Sequence, residues 1–327
     1  MPWYLELVRA IGGTILIFSG VAIVAAMFGV LLERKISAWI QSRLGPKHVG
    51  PQGLLQTVAD TIKLIQKENI VPQNADYKIF ASAVLVVPLA ALLDYVVIPF
   101  GQTRWGPLIF RDLNIGVLFF AATSSLVVVG ILMAGWGSNN KYALLGGLRS
   151  AAQMVSYEIP MALALITVAM LAGSLSTVTI VNAQSHLWYI VAQPIAFLIF
   201  LIAATAEVNR VPFDLVEAES ELVAGYFSEY SGMRFALFQL GEYGEMFAMA
   251  AMAVTLFLGG WHGPHLLPPV LWFVIKLYAL IFVFMWVRWT YPRFRIDQLL
   301  NFSWKVLIPV ALANLVLTAF FVMVVHP

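Results

Sequence analysis

"IGGTILIFSGVAIVAAMFGVLL", residues 11–32, runs for 22 positions without a charged side chain. A helix needs about 20 mostly apolar residues to cross the hydrocarbon core of a bilayer. The run is longer than the apolar core of a secretion signal and lacks the basic leader that such a signal carries. It is therefore read as a retained span, and the same pattern recurs at residues 79–100, 115–136, 159–181, 187–206, 242–260, 268–290 and 305–325. With 61% hydrophobic residues, 11% charged residues and 22 Phe, the chain has more apolar surface than one water-soluble core can hide. The expected fold is all-α: a polytopic membrane protein of about eight transmembrane helices, with an amphipathic interfacial helix and short helices in the cytoplasmic loops. Residues 1–327 are read as a single integral membrane domain.

The basic residues orient it. Lys and Arg collect in loops kept on the cytoplasmic side, and 15 of the 19 fall after spans one, three, five and seven. Both termini are then expected on the periplasmic side, in a cell inner membrane; a mitochondrial inner membrane obeys the same rule. The first cytoplasmic loop, residues 33–78, opens on Glu33 and Arg34. At its centre Leu54, Leu55, Val58, Ile62 and Ile65 recur at helical spacing, with Asp60 and Lys63 mostly on the other side of the turn. A helix of about 14 residues is too short to span and suits the interface.

The second unusual loop, residues 206–241, contains "AEVNRVPFDLVEAESELVAGYFSEYSGM". It sets Asp214, Glu217, Glu219, Glu221 and Glu229 against only Arg210 and Arg234, on the side where positive charge normally gathers. Glu158, Glu207, Glu242 and Glu245 sit at the edges of spans, where each ionisable group costs about 2.5–3.5 kcal/mol on insertion scales. Carboxylates this close cannot all stay ionised cheaply, so the cluster is expected to hold and pass protons.

Other chemistries are set aside. The absence of cysteine removes disulfides, thiolate zinc sites and cysteine-held iron–sulfur clusters. The five His lie in loops or at an end, no Walker loop or nucleotide fingerprint occurs, and a net charge of +2 gives no reason to invoke nucleic acid. No catalytic residue or metal site is expected in this chain.

Four runs carry a resemblance: "ERKISAWIQSRLGPKHVGPQGLLQTVADTIKLIQKE", "SNNKYALLGGLRSAAQMVSYEIP", the acidic stretch extended to "MRFALFQLGEY", and "YPRFRIDQLL". They resemble the quinone-site membrane subunit of respiratory complex I, the proton-translocating NADH-quinone oxidoreductase, over about residues 33–300. The resemblance implies a quinone tunnel lined or guarded by Glu33, Arg34, Asp60, Lys63 and Arg293, with Arg210 and Asp214 setting the loop against it and Phe213 among the aromatic walls that suit an isoprenoid tail. It implies a proton relay of Glu158, Glu207, Glu217, Glu219, Glu221, Glu229 and Glu242. It also implies quinone as substrate, iron–sulfur clusters, FMN and NADH in partner subunits, and contacts with peripheral-arm quinone-reducing subunits and with small and antiporter-like membrane subunits. Two rivals stand beside it. A homologous component of a membrane-bound hydrogenase or ferredoxin-fed complex shares the same residues, whereas a secondary transporter is expected to show repeated halves that this sequence lacks.

Overall fold

The computed structural model describes residues 19–20, 27–104, 106–215, 223–264 and 266–325. Most of the first span, and Glu217, Glu219 and Glu221, lie outside the described residues. The elements are α1 (Val30–Ile40), α2 (Gln56–Gln66), α3 (Tyr77–Asp94), α4 (Gly116–Gly137), α5 (Lys141–Ala172), α6 (Thr177–Ala183), α7 (Tyr189–Ala192), α8 (Pro194–Glu207), α9 (Gly232–Phe257), α10 (Pro269–Thr290), α11 (Ile296–Phe302) and α12 (Ile308–Val325). A two-residue hairpin, β1 (Gln102–Thr103) with β2 (Gly106–Pro107), follows α3. Among the described residues, five stretches are long and apolar enough to cross a membrane: residues 77–97, α4, α5, α10 and residues 296–324. This is the all-α, multi-pass architecture expected from the hydrophobic runs.

The boundaries differ most at the fourth span. Residues 159–181 are expected to form it, but α5 starts at Lys141, where the Asn140 side chain accepts from the Tyr142 amide, and ends at Ala172, before Gly173 in the left-handed conformation. Pro160 does not break this 32-residue helix. A proline interrupts the bond to the carbonyl four residues back, here Ser156, and the Ser303 hydroxyl donates to that carbonyl at 2.6 Å. Glu158 consequently sits well inside a helix rather than at its mouth. The fifth span is broken instead: α7 stops before Gln193–Pro194, and α8 has only 14 residues, about 21 Å of rise against a core of about 30 Å. The sixth begins earlier than expected, at Gly232, and the interfacial helix α2 is 11 residues long.

Helix α9 forms the centre. Every residue from Tyr243 to Phe257 is buried, as expected of a helix that is apolar on all sides, and α3, α10, α2 and α8 pack around it. Helices α3 and α4 run antiparallel with their backbones close together. A Cβ on Gly137 would lie 2.7 Å from the Phe80 amide nitrogen, and one on Gly130 would lie 2.5 Å from the Val87 side chain. That register, 80 with 137 and 87 with 130, carries forward to place Asp94 against Thr123. The outer face of α12 is exposed at Leu312, Val316, Leu317 and Phe320, as suits contact with lipid.

Candidate functional site

Glu33 organises the densest polar cluster in the described residues. The first turn of α1 brings it inward, leaving it 5% exposed, and the loop after α8 brings Arg210 to meet it. Arg210 Nη1 donates to both Glu33 oxygens, at 2.8 and 2.9 Å, and the Tyr243 hydroxyl donates to Glu33 Oε2 at 2.7 Å. Arg288 of α10 pairs with the same carboxylate. The other Arg210 terminal nitrogen reaches Glu242 Oε1 at 3.0 Å, and the guanidinium lies 4.5 Å from the centre of the Tyr243 ring. Two arginines thus face two carboxylates, and charge-assisted bonds of this kind are about twice as strong as neutral ones. Such a buried set is stable only while complete, because removing one partner strands a charge at a cost of about 3–5 kcal/mol.

Two cavities lie among the neighbouring helices; of the residues expected in the tunnel, Arg34 and Asp60 line one and Phe213 lines the other. A 170 Å³ cavity between α1, α2 and α9 is lined by Met27, Val30, Arg34, Asp60, Phe235 and Gln239 among others. Arg34 and Asp60 form an ion pair at 2.5 Å, and Gln56 holds the second Asp60 oxygen at 3.0 Å. Lys63 is exposed on α2. A larger, 630 Å³ cavity between α8, α10 and α11 is walled by Tyr157, Leu201, Phe213, Phe284, Phe294 and Phe302 among others. Beside it Arg293 bonds the buried Asp214 at 3.1 Å, and Phe213 packs between Tyr157 and Phe294, at centroid distances of 5.3 and 6.0 Å. These contacts fix the loop that carries Arg210.

Inside the helices the acids form a second group. Glu207, the last residue of α8, is fully buried, with the Ser124 side chain as its hydrogen-bonding neighbour. Its electrostatic neighbours are Glu158, which accepts from Ser125, and Asp94. Glu245, 2% exposed on α9, neighbours Glu207, Asp94 and Glu242. The order Glu158–Glu207–Glu245–Glu242 therefore joins the helix interior to the Arg210 cluster. Glu229 is placed differently: it accepts from Asn140 at 2.5 Å, at the start of α5.

Three participants, Arg288, Tyr243 and Asp94, go beyond the residues expected from the sequence, and a fourth, Glu245, is expected there only as an acid at a span edge. Arg288 and Tyr243 meet Glu33 only through long-range packing, which no local pattern announces. Glu245 is visible as an acid in a span, but its place between Glu207 and Glu242 needs the fold. Asp94 carries no sequence signal beyond being one acid within the apolar run 79–100. Lys276, which could pair with an acid or reach the interface, does neither. Its ammonium donates to the carbonyls of Leu258, Gly260 and His262, where α9 ends, and stands 4.1 Å from the Trp188 ring centre.

A family model described as NADH dehydrogenase matches residues 13–319. Among curated relatives, an H-type NADH-quinone oxidoreductase subunit of Geobacter metallireducens is 52% identical over 308 residues, covering 93% of each chain. The corresponding protein of Geobacillus kaustophilus is 52% identical over 296 residues, 89% of this chain and 88% of that one. That of Geobacter sulfurreducens is 50% identical over 319 residues, 96% and 97%. Identity at this level along nearly the whole length leaves one assignment: the chain belongs to the NADH dehydrogenase family, together with the H-type subunits of NADH-quinone oxidoreductases.

Proposed function

We propose that this chain is the membrane subunit of a proton-pumping NADH-quinone oxidoreductase that holds the quinone passage and couples quinone reduction to proton movement. The observation that carries this reading is the nearness of two features: Arg34, which lines the smaller cavity with Asp60, follows Glu33 in α1, and Glu33 is joined through Arg210 to Glu242 and the buried acids behind it. The quinone passes between α1, α2 and α9, with Arg34, Asp60 and Lys63 near its mouth. Phe213, Asp214 and Arg293 brace the 208–215 loop from the far side.

Reducing a quinone to its quinol consumes two protons and puts negative charge on the headgroup as electrons arrive. Arginine donors stabilise such charge where they are already in place. A change at the headgroup shifts the balance of the Glu33–Arg210–Glu242 network, and the acids behind it, Glu245, Glu207 and Glu158, respond by exchanging protons. Glu217, Glu219, Glu221 and Glu229 extend this relay on the loop side. The chain has no cysteine, so electrons come from iron–sulfur clusters of the peripheral-arm quinone-reducing subunits, fed by NADH through FMN. The acids lead toward the small and antiporter-like membrane subunits. The distribution of basic residues supports both termini facing outward, in a cell inner membrane.

The test is to purify the tagged chain in mild detergent with whatever accompanies it. Iron–sulfur resonances together with inhibitor-sensitive NADH:quinone reductase activity are expected. Clusters without NADH activity would replace NADH by another donor, and absence of clusters from an intact assembly would overturn the reading.

A further inference from the structure

Asp94 lies near the end of α3 and is 0% exposed. One of its oxygens accepts from the Thr123 hydroxyl of α4; the other has no partner among the described residues. Tyr95, the next residue, donates to the Gly244 carbonyl at 2.6 Å, which clamps α3 onto α9 beside Glu245. Asp94 thereby neighbours both Glu207 and Glu245. Its own neighbours are Thr123, Tyr95 and these acids. The arginines of the cluster are bound to Glu33 and Glu242. An unpaired negative charge in such a place costs several kcal/mol, so a carboxyl held there takes part in charge movement by carrying a proton.

Thr123 fits that role. Its hydroxyl is within bonding distance of the Phe119 and Phe120 carbonyls, at 2.9 and 3.0 Å, as well as of Asp94. A hydroxyl has one hydrogen to give and two lone pairs to accept with. When Asp94 is an acid, it can donate to the Thr123 oxygen while Thr123 donates to a helix carbonyl. When Asp94 is a carboxylate, Thr123 turns its hydrogen to Asp94. Both protonation states keep the bond between Asp94 and Thr123 with the same heavy atoms in the same places.

We propose that Asp94, held by Thr123, is a proton-carrying member of the acid path in this chain, linking Glu207 to Glu245. In the step itself the Asp94 acid gives its proton toward the Glu245 carboxylate: Asp94 becomes the carboxylate, Glu245 the acid, and one negative charge moves the other way. A proton from the Glu207 acid restores Asp94. No electron moves and no bond to carbon changes. The proposal rests on the relay reading above.

The experiment uses the assembled complex in inverted membrane vesicles carrying Asp94→Asn, Asp94→Glu, Thr123→Val or Glu207→Gln, with complex content checked on native gels. Quinone reduction and proton uptake are followed together, and infrared difference spectra of the purified complex report protonated carboxyls. Asp94→Asn is expected to lower coupled proton uptake about tenfold, less than the hundredfold or more of a sole proton-transfer group, because Glu207 and Glu245 also neighbour each other directly. Asp94→Glu should restore most of it. Asp94→Asn should delete one carboxyl band, and Thr123→Val should shift that same band. A purely packing role for Asp94 predicts neither spectral change. If Asp94→Asn does not assemble, the Thr123→Val spectrum and proton uptake decide, and an unshifted band with normal uptake overturns the proposal. Normal uptake in Asp94→Asn with impaired Glu207→Gln sinks the Asp94 role and leaves the relay standing. Normal uptake in both removes the relay and the proposal with it.

Discussion

Arg210 and Glu33, 177 positions apart in the chain, are joined by two hydrogen bonds of 2.8 and 2.9 Å inside the protein. This pair ties the loop after α8 to the first turn of α1. Through Arg210 it also joins Glu33 to Glu242 of α9, the link on which the proposed coupling depends.

Removing the charge at Glu33 should destabilise the fold. In Glu33→Gln two arginines, Arg210 and Arg288, lose their shared carboxylate, at a cost of about 3–5 kcal/mol. Complex yield on native gels and the thermal midpoint of the purified complex should both fall sharply. Wild-type values would show that the cluster does not hold the helices together.

Arg34→Ala should behave in the opposite way. The Arg34–Asp60 pair is partly solvent-exposed, and exposed pairs contribute at most about 1 kcal/mol, so assembly should change little. If Arg34 contacts the quinone headgroup, losing one charge-assisted bond raises the quinone KM about tenfold. Steady-state kinetics over a range of quinone concentrations checks this, and an unchanged KM removes Arg34 from the passage.

Ser303→Ala should cost about 1–3 kcal/mol, because the Ser156 carbonyl freed by Pro160 loses the donor that satisfies it. Thermal unfolding in detergent measures the loss. The paired change Pro160→Ala with Ser303→Ala should recover part of it, since the helix can then make its own bond.

Lys276→Met should lower the thermal midpoint without altering the quinone KM. The ammonium closes the end of α9 through three carbonyls, far along that helix from Glu242. Lys276→Arg should recover only part of the stability, because a planar guanidinium cannot point three donors at one helix end as an ammonium does. A changed KM with an unchanged midpoint would assign Lys276 to the reaction rather than to the fold.

The fold was legible wherever hydrophobic length decides it. The expected runs at 115–136 and 268–290 correspond within a residue to α4 and α10, because uninterrupted apolar sequence leaves the backbone no other way to satisfy its hydrogen bonds in lipid. Legibility failed where a distant side chain compensates a local defect. Pro160 lies inside α5 because Ser303, on another helix, takes the orphaned carbonyl. The site was legible as a set of residue types: Glu33, Arg210 and Glu242 do converge, and Glu207 is buried. Its partners Arg288, Tyr243 and Asp94 were not, since each acquires meaning from a helix register rather than from its neighbours in sequence. Phe213 lines the larger cavity while Arg34 and Asp60 line the smaller one, a division that follows from where α10 and α11 pack.

The most direct test of the coupling is Glu207→Gln, assayed in vesicles for quinone reduction and proton uptake on the same sample. Glu207 is fully buried beside Ser124, and the amide nearly matches the acid in size and can still bond a hydroxyl, so the complex should assemble. The expected result is a normal amount of complex whose quinone reduction is slowed or no longer drives proton uptake. Normal uptake per quinone reduced, at the normal rate, would contradict the relay.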